Sequence, residues 1–287
     1  MNHMASALRE TRRFDEAMAV HHEVREIYRD AGNRRGEAGA LYDLGVTLQQ
    51  ARRFAEAVTA HELDLGVCRE LGDRGGTASA LTGLGNALHE VRRFDEAISA
   101  HQDAIQVWRE LDDRHSEAVA LTSLGLALQE THRFLEAVTA HQDAARIYHD
   151  MDDLHREGQA LTGLGLALRQ VGRFEEAVTA QTTAAAIFRD TGDRHSEEIA
   201  LGNVELVQAS WRSARARAQA RRLALRATFA MGGGVAVTWW LSWQAGVAAA
   251  VVIATADAIR SAARRRRSPP APDKNRRPPT AEPSKPH

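Results

Sequence analysis

One phrase recurs along this chain at a fixed interval: RRFDEA begins at residue 12, RRFAEA at 52, RRFDEA at 92, HRFLEA at 132 and GRFEEA at 172. The period is 40 residues, five times over, without an insertion. Self-similarity at a period between about 20 and 50 residues marks an array whose units cannot bury their apolar faces alone and must stack on one another. The fold question then reduces to the structure of one unit.

Residues 115–153, HSEAVALTSLGLALQETHRFLEAVTAHQDAARIYHDMDD, show that unit clearly. Val119, Leu121, Leu124 and Leu128 recur at helical spacing, and a second helical run follows Arg133-Phe134 through Ala137, Val138, Ala144, Ala145, Ile147 and Tyr148. Each unit therefore reads as two antiparallel helices. Small residues such as Gly125 and Ala137 let the axes approach closely. Asp152-Asp153, with Asp73, Asp113 and Asp193 in matching places, offers an N-cap to the next helix, and Glu37, Glu117, Glu157 and Glu197 fall in its first turn. All seven prolines lie between Pro269 and Pro286, so no helix breaker interrupts the repeats.

The unit resembles a tetratricopeptide repeat, whose pattern is filled by Leu121, Leu124, Gly125, Leu128, Ala137, His141 and Ala144, and again by Leu81, Leu84, Gly85, Leu88, Ala97, His101 and Ala104. The usual unit has 34 residues and ends in proline; this one has 40 and no proline, and six more residues add about 9 Å of helix. That longer form is similar to the repeats of G-protein-signalling modulators and of arrays attached to bacterial NB-ARC-type signalling ATPases, which share the phrases LGNAL, RFDEAI and ELDDRHSEA. The resemblance implies an all-α, right-handed superhelical solenoid of antiparallel helical hairpins over residues 1–208. Its units fall near 1–34, 35–74, 75–114, 115–154 and 155–194, with a capping helix from 195.

The resemblance also implies function. Such arrays bind a peptide or partner helix on a concave face lined by the first helix of each unit, and they do not catalyse. The groove positions expected here are Tyr42, Val46 and Gln49, then Thr82, Asn86 and His89, then Thr122, Leu126 and Gln129, then Thr162, Leu166 and Arg169. They combine an apolar stripe along Val46, Leu126 and Leu166 with polar groups, which suits an amphipathic segment. They lack the Lys/Arg clamp that captures a C-terminal carboxylate.

Catalytic and metal chemistry find no purchase. No glycine-rich phosphate loop, nucleophile-plus-base pair or HExxH spacing occurs, so no catalytic residue, cofactor or small-molecule substrate is expected. The single cysteine, Cys68, shares a column with Tyr28, Trp108, Tyr148 and Phe188 and reads as a packing thiol. His21, His61, His101 and His141 form a column completed by Gln181. Residues one repeat apart stand on the order of 10 Å from each other, far beyond ~2 Å metal bonds, so the column reads as hairpin packing rather than a metal site.

The net charge of −1 hides a division: residues 1–208 carry 22 basic and 35 acidic side chains, whereas residues 209–287 carry 15 and 3. Residues 209–226 read as a basic extension of the capping helix. Residues 227–256 contain no charged side chain, and about 20 helical residues cross a bilayer, so 227–259 is expected to be a membrane segment. Trp239, Trp240 and Trp243 are placed at one interface. Arginines bracket this segment on both sides, leaving a single span and a re-entrant hairpin both open, and their closeness to it favours anionic lipid over nucleic acid as their partner. Residues 260–287 read as a basic, Pro-rich disordered tail.

The expected protein is a scaffold held at the membrane, its repeats in the cytoplasm. The alternative is a cytoplasmic, soluble sensory arm of a bacterial signalling ATPase or transcriptional regulator. Met1 aligns with Leu41 and Leu81, so the first unit starts about one helical turn late; the expectation is either a true start lying upstream or, preferred, the remainder of a longer protein whose ATPase or DNA-binding portion is missing or separately encoded.

Overall fold

The computed structural model describes residues 2–230 and Trp243. The chain divides into two compact units, Met1–Arg215 and Ala216–His287. The first is a solenoid of helical hairpins, and no strand occurs among the described residues. A short α1 (Asn2–Glu10) precedes α2 (Phe14–Asp30), α3 (Arg34–Gln50), α4 (Phe54–Glu70), α5 (Arg74–Glu90), α6 (Phe94–Glu110), α7 (Arg114–Glu130), α8 (Phe134–Asp150), α9 (Leu154–Gln170) and α10 (Phe174–Asp190). The last helix is α11 (Arg194–Ala230). From α2 to α10 every helix has 17 residues and every turn three, which together fill the 40-residue period.

The turns explain why the period never slips. Each reverses the chain through one residue in the left-handed region: Arg12, Arg52, Arg92, His132 and Gly172 within hairpins, and Gly32, Gly72, Asp112, Asp152 and Gly192 between them. The following N–H reaches back five residues, as in Arg93 N to Leu88 O at 2.9 Å and Asp113 N to Trp108 O at 3.0 Å, which satisfies the carbonyls that a helix end leaves open. The first helix of each hairpin from the second onward starts with a true cap. Asn33, Asp73, Asp113, Asp153 and Asp193 accept from the backbone N–H three residues on, at 2.9–3.2 Å. Second helices start instead on an arginine whose side chain pairs with a glutamate three residues later, as Arg53 does with Glu56 at 2.6 Å.

Alanine sets the packing distance. Ala57, Ala97, Ala137 and Ala177 are fully buried, as are Ala104, Ala144, Ala184, Ala87, Ala127 and Ala167. The larger Leu48, Leu88, Leu128 and Leu168 fill the space between. Cys68 is buried and lies 3.3 Å from Asp64, and burial pushes its thiol up to about 12, so it behaves as a packing group.

In the first unit α11 contributes buried Ala200 and Val207 and covers Ala184, Ala185 and Phe188 of α10. It occupies the place of a sixth first helix. There, however, Glu205 stands in the column of Gly45, Gly85, Gly125 and Gly165, where each glycine faces the buried side chain of its own second helix. A glutamate in that column cannot accept such a side chain, so the hairpin series stops at α11. The arrangement of Arg215 over the Trp211 ring, 4.1 Å from its centroid, lies further along the same helix.

In the second unit α11 runs on to Ala230, with Leu223 and Leu225 exposed. Among the described residues no helix is long and apolar enough to cross a membrane. The expected membrane segment, 227–259, lies outside the described residues apart from 227–230 and Trp243, as do Trp239, Trp240 and the tail 260–287. Trp243 is helical and exposed.

Candidate partner-binding face

The face in question is built on the first helices of successive hairpins, α3, α5, α7 and α9. Tyr42 and Leu126 are exposed, and Val46, Gln49, Thr82, Asn86, His89, Thr122, Gln129, Thr162, Leu166 and Arg169 are half-buried. Helical spacing dictates this: residues 42, 46 and 49 fall on one stripe, while 41, 44 and 48 fall on the buried one.

Several of these side chains already have structural partners. The hydroxyls of Thr82, Thr122 and Thr162 each donate to the carbonyl four residues back, at 2.9 Å. Thr82 also accepts from Trp108 Nε1 at 3.2 Å. Gln49 Nε2 donates to the Gly83 carbonyl at 2.8 Å and Gln129 Nε2 to the Gly163 carbonyl at 3.1 Å, so these two glutamines strap one first helix to the next. The side chains left for a partner are chiefly Tyr42, Val46, Asn86, His89, Leu126, Leu166 and Arg169.

Sequence reasoning passed over Leu206, which lies one period beyond Leu166 and is 53% exposed, and Ile199, which is 47% exposed. Together with Leu126, 47% exposed, Leu206 carries the apolar stripe onto α11. The 40-residue register alone was sufficient to find it. It went unnoticed because the packing columns already break down at Glu205 and Gln208.

Beneath this face runs the histidine column. His21, His61, His101 and His141 are at most 1% exposed, and Gln181 is fully buried. Each ring of the last three is pressed against a glycine of its own first helix. A Cβ at Gly45, Gly85 or Gly125 would stand 2.5 Å from Cε1 of His61, His101 or His141. On the far side Gly83 and Gly163 approach His61 and His141 equally closely. Where the next helix carries Asn203 instead, the column holds Gln181, which donates to the Thr162 carbonyl at 2.9 Å and lies 3.4 Å from Asn203 Nδ2. Burial lowers His61, His101 and His141 to about 4, so these imidazoles are neutral at physiological pH. No group of three or more potential metal ligands converges among the described residues.

Between α5 and α7 the face opens into a cleft of roughly 300 Å³. Its walls include Asn86, His89 and Glu90 of α5, His101 of α6, and Ser123 and Leu126 of α7. Gln49 of α3 and Phe54 of α4 complete its walls, so it brings four of the expected positions, Gln49, Asn86, His89 and Leu126, together around a buried imidazole that was read as packing alone.

Tetratricopeptide-repeat family models match residues 1–31 and 76–150. Among solved structures, BtubC (BKLC) from P. vanneervenii is similar at 18% identity with a TM-score of 0.58, covering 74% of this chain and 92% of that one. Aspartyl phosphate phosphatase F from Bacillus subtilis is similar at 11% identity with a TM-score of 0.64, covering 88% and 68%. A signal transduction ATPase with numerous domains and a tetratricopeptide repeat sensor, from Pyrococcus horikoshii, is similar at 14% identity with a TM-score of 0.55; 77% of this chain matches 38% of that one. At these identities the likeness is one of fold. No curated protein sequence matches the chain.

Proposed function

We propose that this chain of tetratricopeptide repeats is a non-enzymatic scaffold that holds an amphipathic partner segment against its first helices, in a groove of right-handed superhelical sense. One observation carries the reading. Leu126, Leu166 and Leu206 stand in one register on successive first helices, partly or largely open to water, whereas the leucines of the packing columns beside them, Leu121, Leu124, Leu128, Leu164 and Leu168, are buried. Apolar side chains kept in a row outside a core are what a partner's apolar face covers. If successive repeats are about 10 Å apart, the row matches one heptad of a partner helix, about 10.5 Å long.

The reading is tested with random peptides displayed and selected on the full-length chain. Changing both Leu126 and Leu166 to Glu should abolish binding of the selected peptides. Each leucine is worth about 1–3 kcal/mol if desolvated, and the melting transition should stay unchanged because neither is core. Leu124→Glu, at a position only 8% exposed, should lower the melting temperature sharply by burying an unpaired charge. If the double variant melts as badly as Leu124→Glu, the proposed face is part of the core.

The scaffold is further proposed to sit on the membrane through residues 227–259, with its repeats in the cytoplasm; support comes from thirty residues, 227–256, without a charged side chain, bracketed by arginines. Fractionation of source cells should place the full chain in the membrane pellet at physiological salt and release it only with detergent. Recovery as a monomer in the detergent-free supernatant would favour the second reading, a soluble arm of a signalling protein. That reading draws on the likeness of the array to the repeat sensor of the Pyrococcus ATPase.

A further inference from the structure

The cleft between α5 and α7 differs from its neighbours in what it lacks. Three of its ring nitrogens, His89 Nε2 and both nitrogens of His101, are buried without a hydrogen-bond partner. One hairpin further on, Gln129 occupies the column of His89, and its carboxamide nitrogen lies 2.9 Å from His141 Nε2 while also bonding the Gly163 carbonyl. One hairpin earlier, Gln49 bonds the Gly83 carbonyl. In the third hairpin the column holds His89, whose ring instead turns edge-on to Phe94 at 5.3 Å, and the carboxamide is missing. The vacant polar position and the cleft coincide. His21 and His61 also have two unpartnered nitrogens, but neither lines the cleft, and glycines close on His61 from both sides; His101 lines it, with Ser123 in the column of the second glycine.

The geometry points to this cleft as a subsite for one uncharged carboxamide side chain, Asn or Gln, carried by the bound segment. This rests on the groove reading above and adds what fixes the segment's register. A neutral imidazole presents an N–H at one nitrogen and a lone pair at the other, and a carboxamide can answer whichever of the two faces the cleft, with its oxygen or with its NH₂. A carboxylate has no proton to give and meets Glu90 at the rim; an ammonium has no lone pair to offer. The floor is shut off from bulk water, with His101 fully buried, so a hydrogen bond made there is stronger than one at the surface, and leaving the position unfilled is costly. The apolar stripe runs Val46, Asn86, Leu126, Leu166, Leu206 in register, so its one polar member stands at the cleft. An otherwise apolar partner face with a single amide would bind in one register.

Two measurements on the full-length chain test this. With histidine side chains labelled with ¹⁵N, acetamide should shift the His89 and His101 resonances at pH 7, and acetate and methylammonium should not. His89→Gln, which supplies in place the amide that neighbouring hairpins carry, should abolish the response while leaving the chain folded. In the peptide selection, Asn or Gln should appear at a constant offset from the apolar residues. Its replacement by Ala should weaken binding about tenfold, equivalent to about 1.4 kcal/mol, on the wild type but not on His89→Gln. Rings unmoved by acetamide, or moved equally by acetate or methylammonium, overturn the subsite. Selected peptides that share the apolar spacing but carry no amide, or carry Lys or Arg there, overturn it and leave the groove standing. A selection that yields no peptide at all overturns the groove itself.

Discussion

Two kinds of buried ionisable residue pull the array's stability in opposite directions with pH. His61, His101 and His141 fall from an ordinary 6.5 to about 4 on folding because burial penalises the imidazolium. The unfolded chain therefore takes up protons below 6.5 that the folded chain refuses until near 4, and stability contributed above 6.5 is lost across that window. Asp64 runs the other way. It is 2% exposed in a column that holds Ala104, Ala144 and Ala184 elsewhere, with Cys68 as its hydrogen-bonding neighbour and Asp43 and Asp73 adding negative charge nearby. Burial raises it from 3.8 to about 7, so its ionisation is resisted in the fold and stability falls as pH rises from about 4 to 7. Three histidines outweigh one aspartate. Urea melts should show net destabilisation from pH 6.5 to 4, and Asp64→Ala should be more stable at pH 7.5 by on the order of 1–4 kcal/mol while losing stability more steeply in acid. An Asp64→Ala chain that is less stable at pH 7.5 would mean the carboxyl has a partner that compensates its burial.

At the scale of the helix and turn, the fixed period depends on backbone geometry more than on side-chain contact. Arg52 and Arg92 sit in the left-handed region and recover part of that strain by stacking on Phe54 and Phe94, their guanidinium carbons 5.7 and 5.4 Å from the ring centroids. His132 is in the same conformation, with its ring 5.4 Å from Phe134, while Gly172 adopts it without a Cβ. Gly172→Ala should cost about 1 kcal/mol, and His132→Gly should gain up to about the same, both read from the denaturant midpoint at constant slope. Equal and opposite changes in the slope would show that the substitutions act on the unfolded chain instead.

For the whole array, stability is a sum of hairpins and of interfaces between neighbours. Helix α11 covers Ala184, Ala185 and Phe188, so a chain ending at Asp193 should expose the fifth hairpin's outer face. Hydrogen exchange should then show α9 and α10 losing protection while α5 to α8 keep theirs, because in such an array each hairpin is held mainly by its immediate neighbours. Loss of protection spread evenly from α3 to α10 would instead mean that the solenoid opens as one cooperative body.

The number of hairpins, their length and their caps were readable from the 40-residue period, because apolar spacing and turn chemistry are local properties written into every repeat. So was the packing role of the histidine column: a glutamine stood in it, and metal ligands cannot converge across repeats. Two features needed the folded chain. Gln49 and Gln129 look like groove residues in sequence, yet they bond carbonyls 34 positions away, a distance that only stacking closes. The cleft beside His101 likewise depends on three hairpins at once, since Ser123 replaces a glycine on α7 while His89 replaces a glutamine on α5. A period records what every repeat shares; a site arises where neighbouring repeats differ, and only their packing decides which differences meet.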